Sequence, residues 1–295
     1  MNQLLAIIGT PKAGTTSLAH WLGNRPEFVL GVEKEPRFFT EFAKTKWSGP
    51  GGDAFADTLI SDEQAYRANF PHLKDDQWAI DASTDYLWHE PACELLKQYG
   101  QKARVKLICL VRDPVDRAIS EYNHTLREGW EPLSFADALA AEGDRMADHY
   151  HPLFYHRRRS EVAGDLARFH AAFGGDLLVL SYDQLSNPQA ILDQVSGFLG
   201  LPSRPVGDAT ARNPSLLPRN SFVAALKSNK QLHRLVKRVL PQGLKDRLRQ
   251  ATHVDAREVE TIPPADIAAF RTSMAAEIQH CQEAAYIPTE GWMAP

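Results

Sequence analysis

Leu4-Leu5-Ala6-Ile7-Ile8-Gly9-Thr10-Pro11-Lys12-Ala13-Gly14-Thr15-Thr16-Ser17-Leu18 is the stretch that decides the fold. Leu4 to Ile8 is an apolar run of strand length, Gly9 to Gly14 is a tight glycine-bounded loop, and Leu18, Trp21 and Leu22 follow at helical spacing. A strand that feeds a glycine loop and then a helix aims free N–H groups and the positive end of the helix dipole at one point, which makes an anion site. Gly9 and Gly14 have the spacing of a nucleoside-triphosphate loop, but Thr15 rather than Lys follows Gly14, and the lysine stands inside the loop at Lys12. Lys12 near the loop apex, with Thr15, Thr16 and Ser17 opening the helix, suits a shorter phosphate group gripped without a metal.

Outward from this loop, further strand-length apolar runs stand at Phe28 to Val32, Trp78 to Ile80, Val105 to Val111 and Leu177 to Ser181, alternating with stretches of helical spacing. The alternation predicts an α/β fold, a P-loop-like parallel sheet flanked by helices. Val105 to Val111 is apolar at nearly every position, as a central strand buried on both faces must be. Asp113 and Pro114 read as the cap and first residue of the next helix, whose apolar stripe is Val115, Ile119, Tyr122 and Leu126. A further helix is expected from about Glu161 to Phe173, ended by Gly174-Gly175. The segment around Trp47 to Asp53 reads as an insertion loop and Leu201 to Pro218 as an irregular connection. One domain is expected over residues 1–295, with a core to about residue 220 and a helical C-terminal extension from about 221.

The composition is that of a globular chain of 295 residues, 43% hydrophobic and 24% charged. Thirty-three Lys and Arg against 37 Asp and Glu give a net charge of -4, which argues against a dedicated nucleic-acid binder. The three cysteines, Cys93, Cys109 and Cys281, are widely spaced and form no C-x-x-C pair, so neither a disulfide framework nor a thiolate metal site is indicated. With no basic leader and an apolar start too short for a signal or a membrane span, a cytoplasmic protein is expected.

Arg112 ends the buried Val105–Val111 strand, where ligands collect in open α/β sheets, and Ser120 lies two turns along the following helix. A guanidinium fork and a hydroxyl so placed can converge on one phosphate. Pro11-Lys12-Ala13-Gly14-Thr15-Thr16-Ser17-Leu18 resembles the 5′-phosphosulfate loop of sulfotransferases that use 3′-phosphoadenosine-5′-phosphosulfate (PAPS). Leu110-Val111-Arg112-Asp113-Pro114-Val115-Asp116-Arg117-Ala118-Ile119-Ser120 resembles their 3′-phosphate element, in the expected order and about a hundred residues on. The resemblance implies PAPS as co-substrate, 3′,5′-adenosine bisphosphate as product, no metal, and Lys12 as the residue that stabilises the leaving 5′-phosphate. It further implies that Arg219, beside Arg212-Asn213-Pro214-Ser215, belongs to a loop closing over the adenosine phosphate.

Gly31-Val32-Glu33-Lys34-Glu35-Pro36-Arg37-Phe38-Phe39 looks like the K-E-P-x-F-F stretch of the heparan-sulfate and bacterial branch of that family. There the glutamate before the proline is the general base, a role that carries onto Glu35. Pro36 disfavours helix at Glu35 and so presents it from a turn, with Phe38 and Phe39 fixing the segment to the core. Ala82, in Asp81-Ala82-Ser83-Thr84-Asp85-Tyr86, stands where relatives often carry a lysine, leaving Ser83 and Thr84 as weak contacts; Arg37 and Thr40 depart from the His and Asp of the glucosaminyl 3-O-sulfating relatives. A histidine base is the second choice, from His72, His89, His124, His149, His151 and His156, the last three read as a polar surface cluster.

A hydroxyl or an amine can receive the group, and carbohydrate, lipid, peptide and small-molecule alcohols all fit as acceptors, with Trp47, Trp88, Trp130, Phe154 and Tyr155 as candidate stacking surfaces. Two other functions remain open, an ATP- or GTP-dependent kinase with a degenerate loop and a nucleotide-binding protein without turnover. Lys227 to Gln250 is basic and leucine-rich, but Pro241 and Gly243 break it. It is expected to pack on the domain with its lysines in water, without inserting in a membrane.

Overall fold

The computed structural model describes residues 1–206, 216–218, 253–255 and 262–293. Its main sheet has five parallel strands, β1 (Gln3–Gly9), β2 (Phe28–Leu30), β3 (Trp78–Asp81), β4 (Arg104–Val111) and β5 (Leu177–Ser181), in the order β2-β3-β1-β4-β5. Side chains alternate along β1: Leu4, Ala6 and Ile8 enter one core layer, Leu5 and Ile7 the other. The first layer holds Val115, Leu166 and Phe169; the second holds Leu18, Trp21 and Leu22 with Ile191, Leu192 and Val195. Burial on both faces is why β1 and β4 are continuous apolar runs, and it confirms the expected α/β class.

β1 lies between β3 and β4, so the chain's strand order reverses beside it, and the loops after β1 and β4 diverge around the crevice where open sheets bind ligands. The Pro114–Arg127 helix starts as expected, with Asp113 accepting hydrogen bonds from the Val115 and Asp116 amides. Arg271, from the Pro264–Ser273 helix, makes a two-pronged ion pair with the same carboxylate at 2.9 and 3.0 Å. Asp113 is thereby both a cap and an anchor. The Ala275–Glu283 helix follows, and Glu277 accepts from the amides of Val162 and Ala163 at the start of the Ala163–Phe173 helix. These two helices, the strand His253–Asp255 and residues 284–293 make up most of what is described of the extension, which is therefore not helical throughout.

Four local expectations are corrected. β2 stops at Leu30, because Val32 leaves the sheet to donate to the Asn69 carbonyl and stands 79% exposed. The helix expected from about Glu161 begins at Ala163. The insertion at Trp47 to Asp53 runs into a short helix, Gly52–Ala56; Gly49 and Gly51 have left-handed backbones, and a Cβ there would strike the Tyr150 and Trp130 rings at 2.6 and 2.7 Å. Leu216–Pro218 pairs antiparallel with His253–Asp255 instead of being irregular throughout. The basic stretch Lys227 to Gln250 lies outside the described residues. Among the described residues, no helix is long and apolar enough to cross a membrane.

Candidate active site

The glycine loop is stitched to β4. The Thr10 amide donates to the Leu110 carbonyl at 2.6 Å and the Thr10 hydroxyl to the same oxygen at 3.0 Å, while Arg112 donates to the Lys12 carbonyl at 3.1 Å. The two segments, a hundred positions apart in the chain, therefore form one surface. Gly14 caps the Thr15–Gly23 helix with a left-handed backbone, φ 79°, and a Cβ there would meet Leu185 at 2.1 Å. Lys12 is itself left-handed, φ 65°, a conformation costing roughly 1–2 kcal/mol in a residue with a side chain. Pro11 and Ala13 are buried beneath the turn; Lys12, Thr16 and Ser17 are half-buried along it and Thr15 is buried at the helix start.

Burial, with the nearby Arg127 guanidinium, pushes the Lys12 ammonium down to about 8, against the opposing pull of Glu121. An ammonium so surrounded by cations fits a site that receives an anion. Arg112 lies with its guanidinium 4.5 Å from the centre of the Tyr182 ring. Stacking leaves the edge of the fork for an oxyanion. Ser120 is half-buried on the following helix, and His124 and Arg127 continue its face at helical spacing. His124, beside Lys12 and Arg127, is held down to about 3 by burial and by both cations.

Glu35 comes from the turn after β2, as expected from Pro36. Phe38 stacks on Tyr66 at 4.2 Å and Phe39 meets Tyr66, Tyr86 and Tyr99 edge to face, so the segment is bolted to the core. Lys34 joins Glu35 to the loop: its ammonium lies 2.6 Å from Glu35 Oε1 and 3.1 Å from the Thr16 hydroxyl. The other oxygen, Oε2, accepts from Arg37 at 2.9 Å and from Thr84 at 3.3 Å. Burial alone would raise this carboxyl, but Lys34 and Arg37 outweigh it and hold it below the ordinary carboxylate range. The Glu35 turn is thus an ion-paired shelf beside the loop rather than a solvated charge run.

The expected histidine cluster is corrected. His151 and His156 are fully buried; of the three, His149 is the exposed one. His151 contacts the Pro50 carbonyl at 2.7 Å, and burial lowers it to about 4. Burial works against charge on His156 too, but Glu121 at 3.5 Å and Glu131 at 3.9 Å raise it above the ordinary imidazole range. Both are pieces of the interior. His72 is exposed, and His89 accepts from the Glu41 amide at 3.2 Å. His124 is the candidate that shares electrostatics with Lys12.

Among the candidate stacking residues, Phe154 and Tyr155 are core, whereas Trp47, Trp88 and Trp130 are half-buried. Trp47 and Trp88 flank Phe42, at ring distances of 5.0 and 5.5 Å, and Arg37 lies 4.6 Å over Phe55 in the same cluster. Ser83 donates to Asp81 at 2.6 Å and accepts from the Arg37 amide at 2.9 Å, so it braces the shelf. Arg219 lies outside the described residues. Lys34, Asp85 and Arg159 are given no part in the site by the sequence, and Arg37 enters there only as a departure from the relatives' histidine. Lys34 could have been found from its place beside Glu35, whereas burial of Asp85 and Arg159 has no local signature.

A family model described as "Sulfotransferase family" matches residues 5–205. Heparan sulfate glucosamine 3-O-sulfotransferase 3A1 of Mus musculus is 29% identical over 200 residues, 66% of this chain and 45% of that protein. The 3B1 enzyme of Homo sapiens is 28% identical over the same share of each. The chain spans a little under half the length of these relatives. The crystal structure of a sulfotransferase from Alicyclobacillus acidocaldarius superposes with a TM-score of 0.66 at 28% identity, covering 81% of this chain and 98% of that one. The family match takes in the glycine loop, the Glu35 shelf and the Arg112 helix together, and on that ground the chain belongs to the sulfotransferase family.

Proposed function

We propose that the protein is a PAPS-dependent sulfotransferase that moves a sulfuryl group to an alcohol, with Glu35 as general base and no metal. The observation that carries this reading is Lys34, which ties the Glu35 carboxylate and the Thr16 hydroxyl of the loop to one ammonium. A base and an anion-binding loop are thereby held side by side, as in-line displacement requires. PAPS supplies a sulfuryl group activated on its 5′-phosphate. Lys12, with the N–H groups at the start of the Thr15–Gly23 helix, stabilises the charge that gathers on that phosphate as its bond to sulfur breaks. Arg112 and Ser120 hold the 3′-phosphate, and Glu35 takes the proton from the acceptor hydroxyl as its oxygen bonds to sulfur. The named relatives act on glucosamine in heparan sulfate; here Arg37 and Trp47 border the shelf, which suits a carbohydrate or another ring-bearing alcohol.

3′,5′-Adenosine bisphosphate at a hundredfold its Kd stabilises the fold by about 2.7 kcal/mol. A melting scan checks this, and EDTA leaves the shift intact. A shift produced by ATP with Mg²⁺ and not by the bisphosphate overturns the reading in favour of a kinase. Arg112→Ala weakens bisphosphate binding by roughly 1.5–3 kcal/mol in calorimetry, the loss of one charge-assisted contact. Unchanged affinity would remove Arg112 from the site.

A further inference from the structure

Behind Glu35 runs a chain of alternating charges that the reaction scheme leaves unused. Arg37, which holds Glu35 Oε2, turns its Nε to Asp85 Oδ2 at 2.6 Å. The other oxygen of Asp85 accepts from Trp88 at 2.9 Å and pairs with Arg159 at 2.9 Å. Arg159 continues to Glu121, and Glu121 to Arg117 at 2.9 Å. The side chains of Asp85 and Arg159 are only 1% and 2% exposed. Glu121 adjoins Ser120 in the helix that follows Arg112, so the chain of pairs links the Glu35 shelf to the element proposed to hold the 3′-phosphate. Arg37 reaches these partners with a left-handed backbone, φ 51°, which the surrounding contacts must hold in place.

One guanidinium is thus shared between two carboxylates. Glu35 is the partly open one, at 21% exposure, and Asp85 the closed one. Whatever Asp85 draws from Arg37 is withheld from Glu35. We propose that Asp85, anchored by Arg159, is a positioning residue for sulfuryl transfer: it pins Arg37 so that the guanidinium orients Glu35 without neutralising it as a base. This rests on Glu35 being the base. The charged groups bearing on Glu35 are Lys34, Arg37 and Asp85, with Glu33 acting on Arg37 and Arg159 on Asp85. His89, His151 and Tyr155 also feel the Asp85 charge. Asp85 opposes ionisation of Glu35 where Arg37 favours it.

The sign of the test follows. Asp85→Asn releases Arg37 wholly to Glu35, so the carboxylate titrates at lower pH and becomes a weaker base. In the full chain, ¹³C NMR of labelled glutamate, with the Glu35 signal assigned by its loss in Glu35→Gln, shows the Glu35 midpoint moving down. Turnover of ³⁵S-labelled PAPS with p-nitrophenyl N-acetylglucosaminide, or with the best alcohol of a panel, falls several-fold while bisphosphate affinity is kept. Asp85→Glu, which retains the charge, restores the parent midpoint. Arg159→Gln, a second variant should Asp85→Asn not fold, removes the charge that anchors Asp85, leaves Asp85 to pull Arg37 from Glu35 and moves the midpoint up. A midpoint that is unchanged in both variants, or moved in the opposite directions, overturns the proposal. Normal turnover in Glu35→Gln instead overturns the base assignment beneath it, a separate result.

Discussion

Replacing Glu35 by Gln lowers sulfuryl turnover about 10²–10⁴-fold, the usual contribution of a positioned general base. The amide keeps the size of the side chain and can still accept from Arg37 and Thr84, but it cannot take the acceptor's proton. Bisphosphate affinity stays at the parent value, because the hydrogen bonds from Thr10 and Arg112 that join the loop to β4 do not include Glu35. Single-turnover kinetics beside calorimetry separate the two, and a fall in kcat with affinity kept is the expected pattern. The pH profile carries the same information. Glu35 is held below the ordinary carboxylate range, so it is ionised throughout the neutral range, and activity is lost on its account only as pH falls below that range. Activity kept in Glu35→Gln would transfer the role to a histidine; His124, the one beside the loop lysine, is held down to about 3 and would place its acid limb far below neutrality.

Replacing Lys12 by Met lowers turnover about 10²–10³-fold, the order seen when one preorganised donor to a developing oxyanion is removed. Methionine keeps an unbranched stem for the turn and removes only the charge. Unlike Glu35→Gln, this variant also weakens bisphosphate binding, since the 5′-phosphate is present in product as well as in the transition state. A proton signature accompanies it. Lys12 is pushed down to about 8 in the free protein by burial and by Arg127, and an arriving phosphate restores its preference for the charged form. Above about pH 8, bisphosphate binding therefore takes up a proton, seen as a binding enthalpy that depends on the ionisation heat of the buffer. The same experiment on Lys12→Met shows no such dependence. Equal proton uptake by the two proteins would assign the titration to another group and remove Lys12 from the phosphate.

Periodicity and covalent geometry settle what local residues can settle. Two-sided burial makes Val105 to Val111 apolar at nearly every position, so β4 is legible, as is Asp113-Pro114 as a helix start. The loop is legible because glycine is demanded by the backbone: at Gly14 a side chain has neither the φ nor the room. The proline after Glu35 forces an extended residue and a turn, and the two phenylalanines after Arg37 have to find the core. Strand edges are not encoded this way. Val32 continues the apolar run of β2 but leaves the sheet, because one hydrogen bond to Asn69 decides where the strand ends.

Which charges are buried against which is decided by the tertiary structure alone. Arg159 stands in a run of three arginines and looks like solvated surface, yet its side chain is 2% exposed between Asp85 and Glu121, residues 74 and 38 positions away in the chain. His151 and His156 look like neighbours in a polar cluster, yet one faces the Pro50 carbonyl and the other two glutamates. Periodicity records the side of an element that faces the core, which each element encodes for itself. A buried ion pair exists only when partners from separate elements arrive together, since either charge alone in that interior would cost several kcal/mol. For that reason the glycine loop and Glu35 can be read from short stretches of sequence, whereas the support behind Glu35, from Arg37 through Asp85 to Arg159, is a property of the assembled fold.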